Sequence, residues 1–407
     1  MKKHLMVLTT LSACIFLSAC NDSNDSDSSS SSSNVPENNI QNPVVGIPAA
    51  YTQSGMDQVA GESVVMTYKM LGISGQEVLA TSLVFTPKGT PPSAGWPIVA
   101  WAHGTTGVAD ICAPSRNVMD ENVKTMITQL LAQGYVVVAP DYEGLGEPSG
   151  KEIHPFLNVK SEAYSIADAV VAAKSYLGAK AATRWVAVGH SQGGQAALGA
   201  AQYASRAKLT YKGTIAVAPA SNLDLILNAG ELSAANQPVA VQIPTYTNLD
   251  TYTALITAGL RNPNPSLQYS QIFKSPSDSI AAQAESVCAP ALAQSFAVGL
   301  TAYANQNNNS LTGYGRTQDG FLNLPVVKNF TSTDGQPLTV KVSTPIKIYQ
   351  GQADTTVPFI ATNKLVTEAK LAGTNINFIT NPTWTHGSAY SLNISNIVTD
   401  VNTLFTQ

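Results

Sequence analysis

From about residue 60 onward, short apolar runs alternate with longer amphipathic stretches. Runs at 63–68 and 79–86, separated by a turn at 72–75, predict two opening strands. Four further runs, at 97–102, 135–140, 185–188 and 213–218, are almost continuously apolar, as in strands buried on both faces. Between them, 117–133 (stopped by Gly134) and 159–177 carry helical periodicity. From 221 to 335 the alternation lapses, leaving helical pieces at 279–289 and 291–304 and a polar loop at 305–310. It resumes with a strand at 345–349, a helix at 360–372, a strand at 376–380 and a last helix near 389–405. This order predicts an α/β fold, a mostly parallel central sheet flanked by helices. Because the pattern returns to the same sheet, 221–335 reads as a largely helical cap insertion. No internal repeat is visible.

The first residues have a different pattern. Lys2 and Lys3 precede an apolar stretch from Leu5 to Leu17, and Leu17-Ser18-Ala19-Cys20 follows. That tetrapeptide resembles the lipobox of bacterial lipoproteins, which implies cleavage before Cys20 and lipid attachment to its sulfur. The expected organisation is a signal peptide over 1–19, a lipidated Cys20 with a flexible tether over 20–50, and a catalytic-size domain over 51–407. Ser, Asn, Asp, Pro and Gln dominate 21–43, including a serine run at 28–33, and such a composition cannot bury a core. Asp22, Asp25 and Asp27 read as solubilising. Asn21 favours the outer membrane over inner-membrane retention, with plain secretion as the other possibility. No later stretch is apolar over the ~20 residues that a spanning helix needs.

Composition narrows the function classes. The net charge is −4 with 12% charged residues, and no basic stripe suggests nucleic acid. Of four cysteines, Cys14 leaves with the signal and Cys20 carries lipid. Cys112 and Cys288 remain, an even pair in an oxidising compartment, and are expected to form a disulfide. No His/Cys cluster has zinc spacing, so neither metal nor cofactor is implied. Oligomeric state is not legible.

The candidate chemistry begins at Gly189-His190-Ser191-Gln192-Gly193, a G-x-S-x-G pentapeptide between an apolar strand and a small-residue helix. A serine hydroxyl becomes a useful nucleophile when a sharp strand-to-helix turn exposes it and a base takes its proton. Five histidines exist: His4 in the signal, His103 in a His-Gly turn, His154 in a loop, His190 inside the pentapeptide, and His386 near the C-terminus. The order Ser…Asp…His selects His386 as base. Asp354, on a turn after a buried strand, is the expected orienting acid. Asp319 and Asp334 compete by order only and read as solvated loop acids. Backbone N–H groups of Gln192 and Thr105 are the expected oxyanion donors.

These blocks resemble the α/β-hydrolase fold. At finer grain, His103-Gly104-Thr105-Thr106-Gly107-Val108-Ala109-Asp110-Ile111-Cys112-Ala113-Pro114-Ser115 and Asp141-Tyr142-Glu143-Gly144-Leu145-Gly146 resemble the secreted lipase family. The resemblance implies an extracytoplasmic enzyme cleaving carboxylic esters or acylglycerols beneath a helical cap. Two other readings stay in view. A serine aminopeptidase of the same fold would need an acidic anchor in the cap, for which Glu231 or Glu285 is available. A surface binding protein with a spent site is disfavoured by the intact Ser/Asp/His set. Acyl-pocket walls are expected from 291–300, with Phe296 and Leu300 prominent, or failing that from 142–156.

Overall fold

The computed structural model describes residues 35–407. The signal over 1–19, Cys20 and the first part of the tether lie outside the described residues. Nine strands form one sheet: β1 (Val44–Ala50), β2 (Ser63–Leu71), β3 (Glu77–Phe85), β4 (Trp96–Ala102), β5 (Val136–Pro140), β6 (Ala181–His190), β7 (Thr210–Val217), β8 (Ile346–Gly351) and β9 (Ile376–Asn381). Their spatial order is β1-β2-β3-β5-β4-β6-β7-β8-β9. The first three strands join antiparallel, and every pairing from β5 to β9 is parallel. The chain is thus an α/β hydrolase in architecture, with a mostly parallel sheet as its pattern predicts.

Two helical layers cover the sheet. Helix α1 (Glu121–Ala132) starts at Asp120, whose carboxylate accepts the N–H groups of Asn122 and Val123 at 2.9 and 3.3 Å. Helix α2 (Val159–Leu177) is capped by Asn158, and α3 (Gln192–Tyr203) follows β6 directly. Alanines on α2 and α3 let these two helices lie close on the sheet, and their buried residues share one core cluster with β4 and β6. On the opposite face, α1 packs with the last helix of the chain.

Between β7 and β8 stands the cap. It contains α4 (Leu223–Ala234), α5 (Val239–Arg261) and α6 (Ala289–Gln306), with one core cluster of its own and a second that it shares with Val108, Phe156 and Leu157 beneath it. After β8 come α7 (Phe359–Leu371), α8 (His386–Ser391) and α9 (Ile394–Thr406). Ile394, Ile397, Val398, Val401, Leu404 and Phe405 make the buried stripe of α9, at helical spacing.

Three local differences from the sequence reading have physical reasons. The folded body begins before residue 51. Residues 44–50, read as tether, are β1, and Asn38 donates to Asp168 at 2.7 Å, where Arg206 is also bound. The single helix expected at 389–405 is two, divided near Asn393. Within the cap, read as largely helical, the pattern does not mark α5. In α5, threonine hydroxyls return to carbonyls one turn back, Thr251 to Thr247 and Thr257 to Thr253, both at 2.7 Å. That self-satisfaction lets a polar-looking sequence be buried.

Candidate active site

Ser191 sits between the end of β6 and the first residue of α3, with φ 61° and ψ −120°. A non-glycine residue held there costs about 1–3 kcal/mol, which the surrounding turn must offset. The turn has no room for larger neighbours. A Cβ on Gly189 would overlap the Gly193 carbonyl, and one on Gly193 would overlap the Ala102 carbonyl on β4. The Ser191 N–H donates to the Val217 carbonyl of β7 at 2.9 Å, pinning the turn across the sheet.

The structure brings Ser191, His386 and Asp354 together. His386 Nε2 lies 2.9 Å from Ser191 Oγ, and Nδ1 lies 2.8 Å from Asp354 Oδ2. Asp354 Oδ1 accepts the N–H groups of Thr356 and Val357 at 2.9 and 2.8 Å, and Oδ2 also takes Gln350 Nε2 at 3.2 Å. With the acid acting as acceptor, Nδ1 carries the ring proton and Nε2 is left to accept from the serine. His386 opens α8, whose preceding residue, Thr385, forms a reciprocal cap with Ser388. The His386 carbonyl faces His190 Nε2 at 3.0 Å. Burial, and then the neighbouring His386, pull the His190 ring down to about 4, so it stays neutral near pH 7.

Gln192 and Thr105 line one cavity with Ser191. As the first residue of α3, Gln192 has an N–H with no intrahelical acceptor. Its side chain is anchored as well. Gln192 Nε2 donates to His154 Nε2 at 2.9 Å and to Glu162 Oε1 at 2.8 Å. His154 Nδ1 in turn meets the Glu143 carbonyl at 2.8 Å, and Glu162 Oε1 also accepts the Leu157 N–H at 3.1 Å. Burial pushes Glu162 up to about 8 and His154 down to about 3, so both are neutral at pH 7. Sequence reasoning did not single out Glu162, which follows Lys160 and Ser161 and resembles a solvated helix start.

The remaining candidates fall elsewhere. His103 stacks on Tyr142 with centroids 4.2 Å apart, and burial takes it to about 4. Asp319 is exposed and pairs with Lys274 at 2.8 Å, while Asp334 accepts from Asn329 at 2.8 Å. Cys112 and Cys288 are bonded, with Cα atoms 5.4 Å apart. The bridge ties the segment after Thr105 to the start of α6, where the Ala289 N–H also donates to the Thr106 carbonyl at 2.9 Å.

The cavity over Ser191 has a volume of about 480 Å³. Its apolar walls are Leu223, Ile226 and Leu227 on α4 and Leu249, Tyr252 and Ile256 on α5. The expected walls at 291–300 are therefore displaced. Phe296 and Leu300 are fully buried in the apolar clusters beneath and within the cap, Phe296 stacking on Phe273 at 6.1 Å. Glu231 and Glu285 are both engaged by protein cations. Arg316 binds Glu231 through two nitrogens, at 2.7 and 2.9 Å, and Arg261 binds Glu285 at 2.6 Å.

With this geometry in view, the sequence profile described as "secretory lipase" matches residues 115–405. Candida antarctica lipase A in its closed state is a structural neighbour, with a TM-score of 0.66 at 17% identity. That alignment covers 90% of this chain and 83% of the other. A rice cell wall degrading esterase, LipA from Xanthomonas oryzae, aligns with a TM-score of 0.64 at 19% identity, covering 90% and 98%. These likenesses concern the fold. No curated protein matches the chain.

Proposed function

Since the chain belongs to the secretory lipase family and is thereby a carboxylic ester hydrolase, we propose that Ser191, His386 and Asp354 are its catalytic triad. His386 Nε2 takes the Ser191 proton as Oγ attacks the ester carbonyl. Asp354 holds the imidazole by Nδ1 and stabilises its protonated form. The N–H groups of Gln192 and Thr105 receive the oxyanion. His386 then protonates the departing alcohol, and water, activated by the same histidine, releases the acid from the acyl-enzyme. The observation carrying this reading is the unbroken hydrogen-bond chain Ser191–His386–Asp354 at the floor of an apolar cavity.

The test is a pair of variants assayed on simple esters. Ser191→Ala should lower kcat on the order of 10⁶-fold, and Asp354→Asn roughly 10⁴-fold, with folding intact. More than a tenth of wild-type turnover in pure Ser191→Ala protein would end the assignment. A fluorophosphonate should add one mass increment, on Ser191 alone. The aminopeptidase reading gains nothing from Glu231 and Glu285, whose charges are already met by Arg316 and Arg261.

Family membership and the disulfide make this an extracytoplasmic protein with an ester or lipid substrate. Anchoring through lipidated Cys20, with the outer membrane favoured, is part of the proposal and rests on Leu17-Ser18-Ala19-Cys20. Cys20→Ser should move the protein from the membrane fraction to the soluble one. Retention of the variant in membranes would rule the anchor out.

A further inference from the structure

A second cavity, of about 540 Å³, shares Thr105 with the first. Its apolar wall comes mostly from outside the cap, from Trp101 on the sheet, Val118 and Met119 just before α1, Val123 and Ile127 on α1 and Tyr390 on α8, with Pro290 of α6 joining from the cap. It also borders His190, next to the serine, and Gly387, next to His386. Neither His190 nor any α8 residue lines the first cavity.

We propose that this second cavity is the leaving-group site, receiving the alkoxy arm of the ester while the cap cavity receives the acyl arm. The inference rests on the triad reading above. An ester carbonyl whose carbon meets Ser191 Oγ and whose oxygen meets the Thr105 and Gln192 N–H groups has two arms that diverge from that carbon. When the tetrahedral intermediate collapses, the C–O bond to the alkoxy oxygen breaks and its electron pair stays on that oxygen. The carbonyl re-forms, and the alkoxy oxygen takes the proton from His386 Nε2. That oxygen must therefore lie on the histidine side, and the cavity bordered by His190 and Gly387 is the one continuing from there. An alcohol portion with a carbon chain fills this largely apolar cavity, whereas methanol or ethanol leaves it unfilled.

The experiment uses two ester series on the full chain. One holds the acyl group at hexanoate and lengthens the alcohol from methyl to octyl. The other holds methyl and lengthens the acyl group from butanoyl to dodecanoyl. Val123→Trp fills the second cavity, and Ile226→Trp the first. Val123→Trp should lower the octyl-to-methyl ratio of kcat/KM about tenfold or more and leave the acyl-length profile in place, since pocket discrimination is of that order per lost methylene. Ile226→Trp should do the reverse. Val118→Trp, at a position 78% exposed on the cavity rim, repeats the test should Val123→Trp fold poorly. An unchanged octyl-to-methyl ratio in the tryptophan variants, or a change in the acyl series instead, overturns the assignment. Failure of the triad reading looks different. Ser191→Ala would then keep its turnover on both series, and the leaving-group assignment would fall with it.

Discussion

Gln192 joins two levels of the site within one residue. Its N–H stands beside Ser191 at the start of α3, and its side-chain amide is held by His154 and Glu162. Because burial keeps Glu162 protonated below about pH 8, its job at neutral pH is that of a neutral acceptor. Glu162→Gln preserves that acceptor and should keep near wild-type kcat. Glu162→Ala leaves the amide of Gln192 and the N–H of Leu157 short of an acceptor. It should lower kcat roughly tenfold with little change in KM, the pattern of an interaction used in the transition state. Equal losses in both variants, or a loss confined to KM, would refute this role. The contrast between Glu162 and Ser191 shows what a sequence exposes. Ser191 is bracketed by glycines that the turn demands, the candidate His386 follows from chain order and elimination, and the candidate Asp354 from its place on a turn after a buried strand. Glu162 meets Gln192 across 30 residues and on another helix, and nothing in its neighbours in sequence marks it as buried.

At the scale of elements, the parallel strands were the most legible because they are buried on both faces and leave unbroken apolar runs; β5 is buried at every residue. The first strand was hidden, since it is an edge strand with Ile47 94% exposed and Pro48 within it. The cap was legible as a largely helical insertion, but one of its helices was hidden for the opposite reason. Its α5 buries threonines whose hydroxyls bond within the helix, so hydropathy understates its burial. One consequence concerns α6. Phe296 is fully buried in the cap core and does not line the cavity over Ser191. Phe296→Ala should therefore destabilise by about 3–5 kcal/mol, as a cavity in a packed core does. It should also leave the ratio of kcat/KM between long and short acyl esters at its wild-type value. Urea unfolding and an acyl-length series measured at a permissive temperature check both halves. A shifted chain-length ratio in a fully folded sample would return the acyl wall to α6.

Taken as a whole, the molecule buries ionisable groups of both kinds, and their opposite signs shape its stability against pH. Burial pulls His103 and His190 down to about 4 and His154 to about 3, from 6.5 in the unfolded chain. A depressed group contributes stability that is complete above its unfolded value and lost as pH falls through its folded one. The histidines therefore withdraw stability below pH 6.5. Burial raises Asp141 and Asp250 to about 6, Glu143 to about 7 and Glu162 to about 8, from 3.8 for the aspartates and 4.5 for the glutamates. A raised group has the reverse sign. Its stability is complete below the unfolded value and is lost as pH climbs through the folded one. Between pH 4.5 and 6.5 the two sets oppose each other, so Tm should be nearly level there. Above pH 6.5 the histidines no longer contribute a slope, and Glu143 and Glu162 lower Tm until about pH 8. Below about pH 4 these carboxyls are mostly protonated in both states and His103 and His190 mostly protonated in both, so His154, depressed to about 3, is the one of the set that still lowers Tm as pH falls. Calorimetry from pH 3.5 to 8.5 measures the whole profile. Glu162→Gln, neutral in both states, should flatten the alkaline decline without touching the acid one. A Tm that rose from pH 6.5 to 8, or an alkaline decline unchanged in that variant, would mean that the buried carboxyls ionise freely inside the fold.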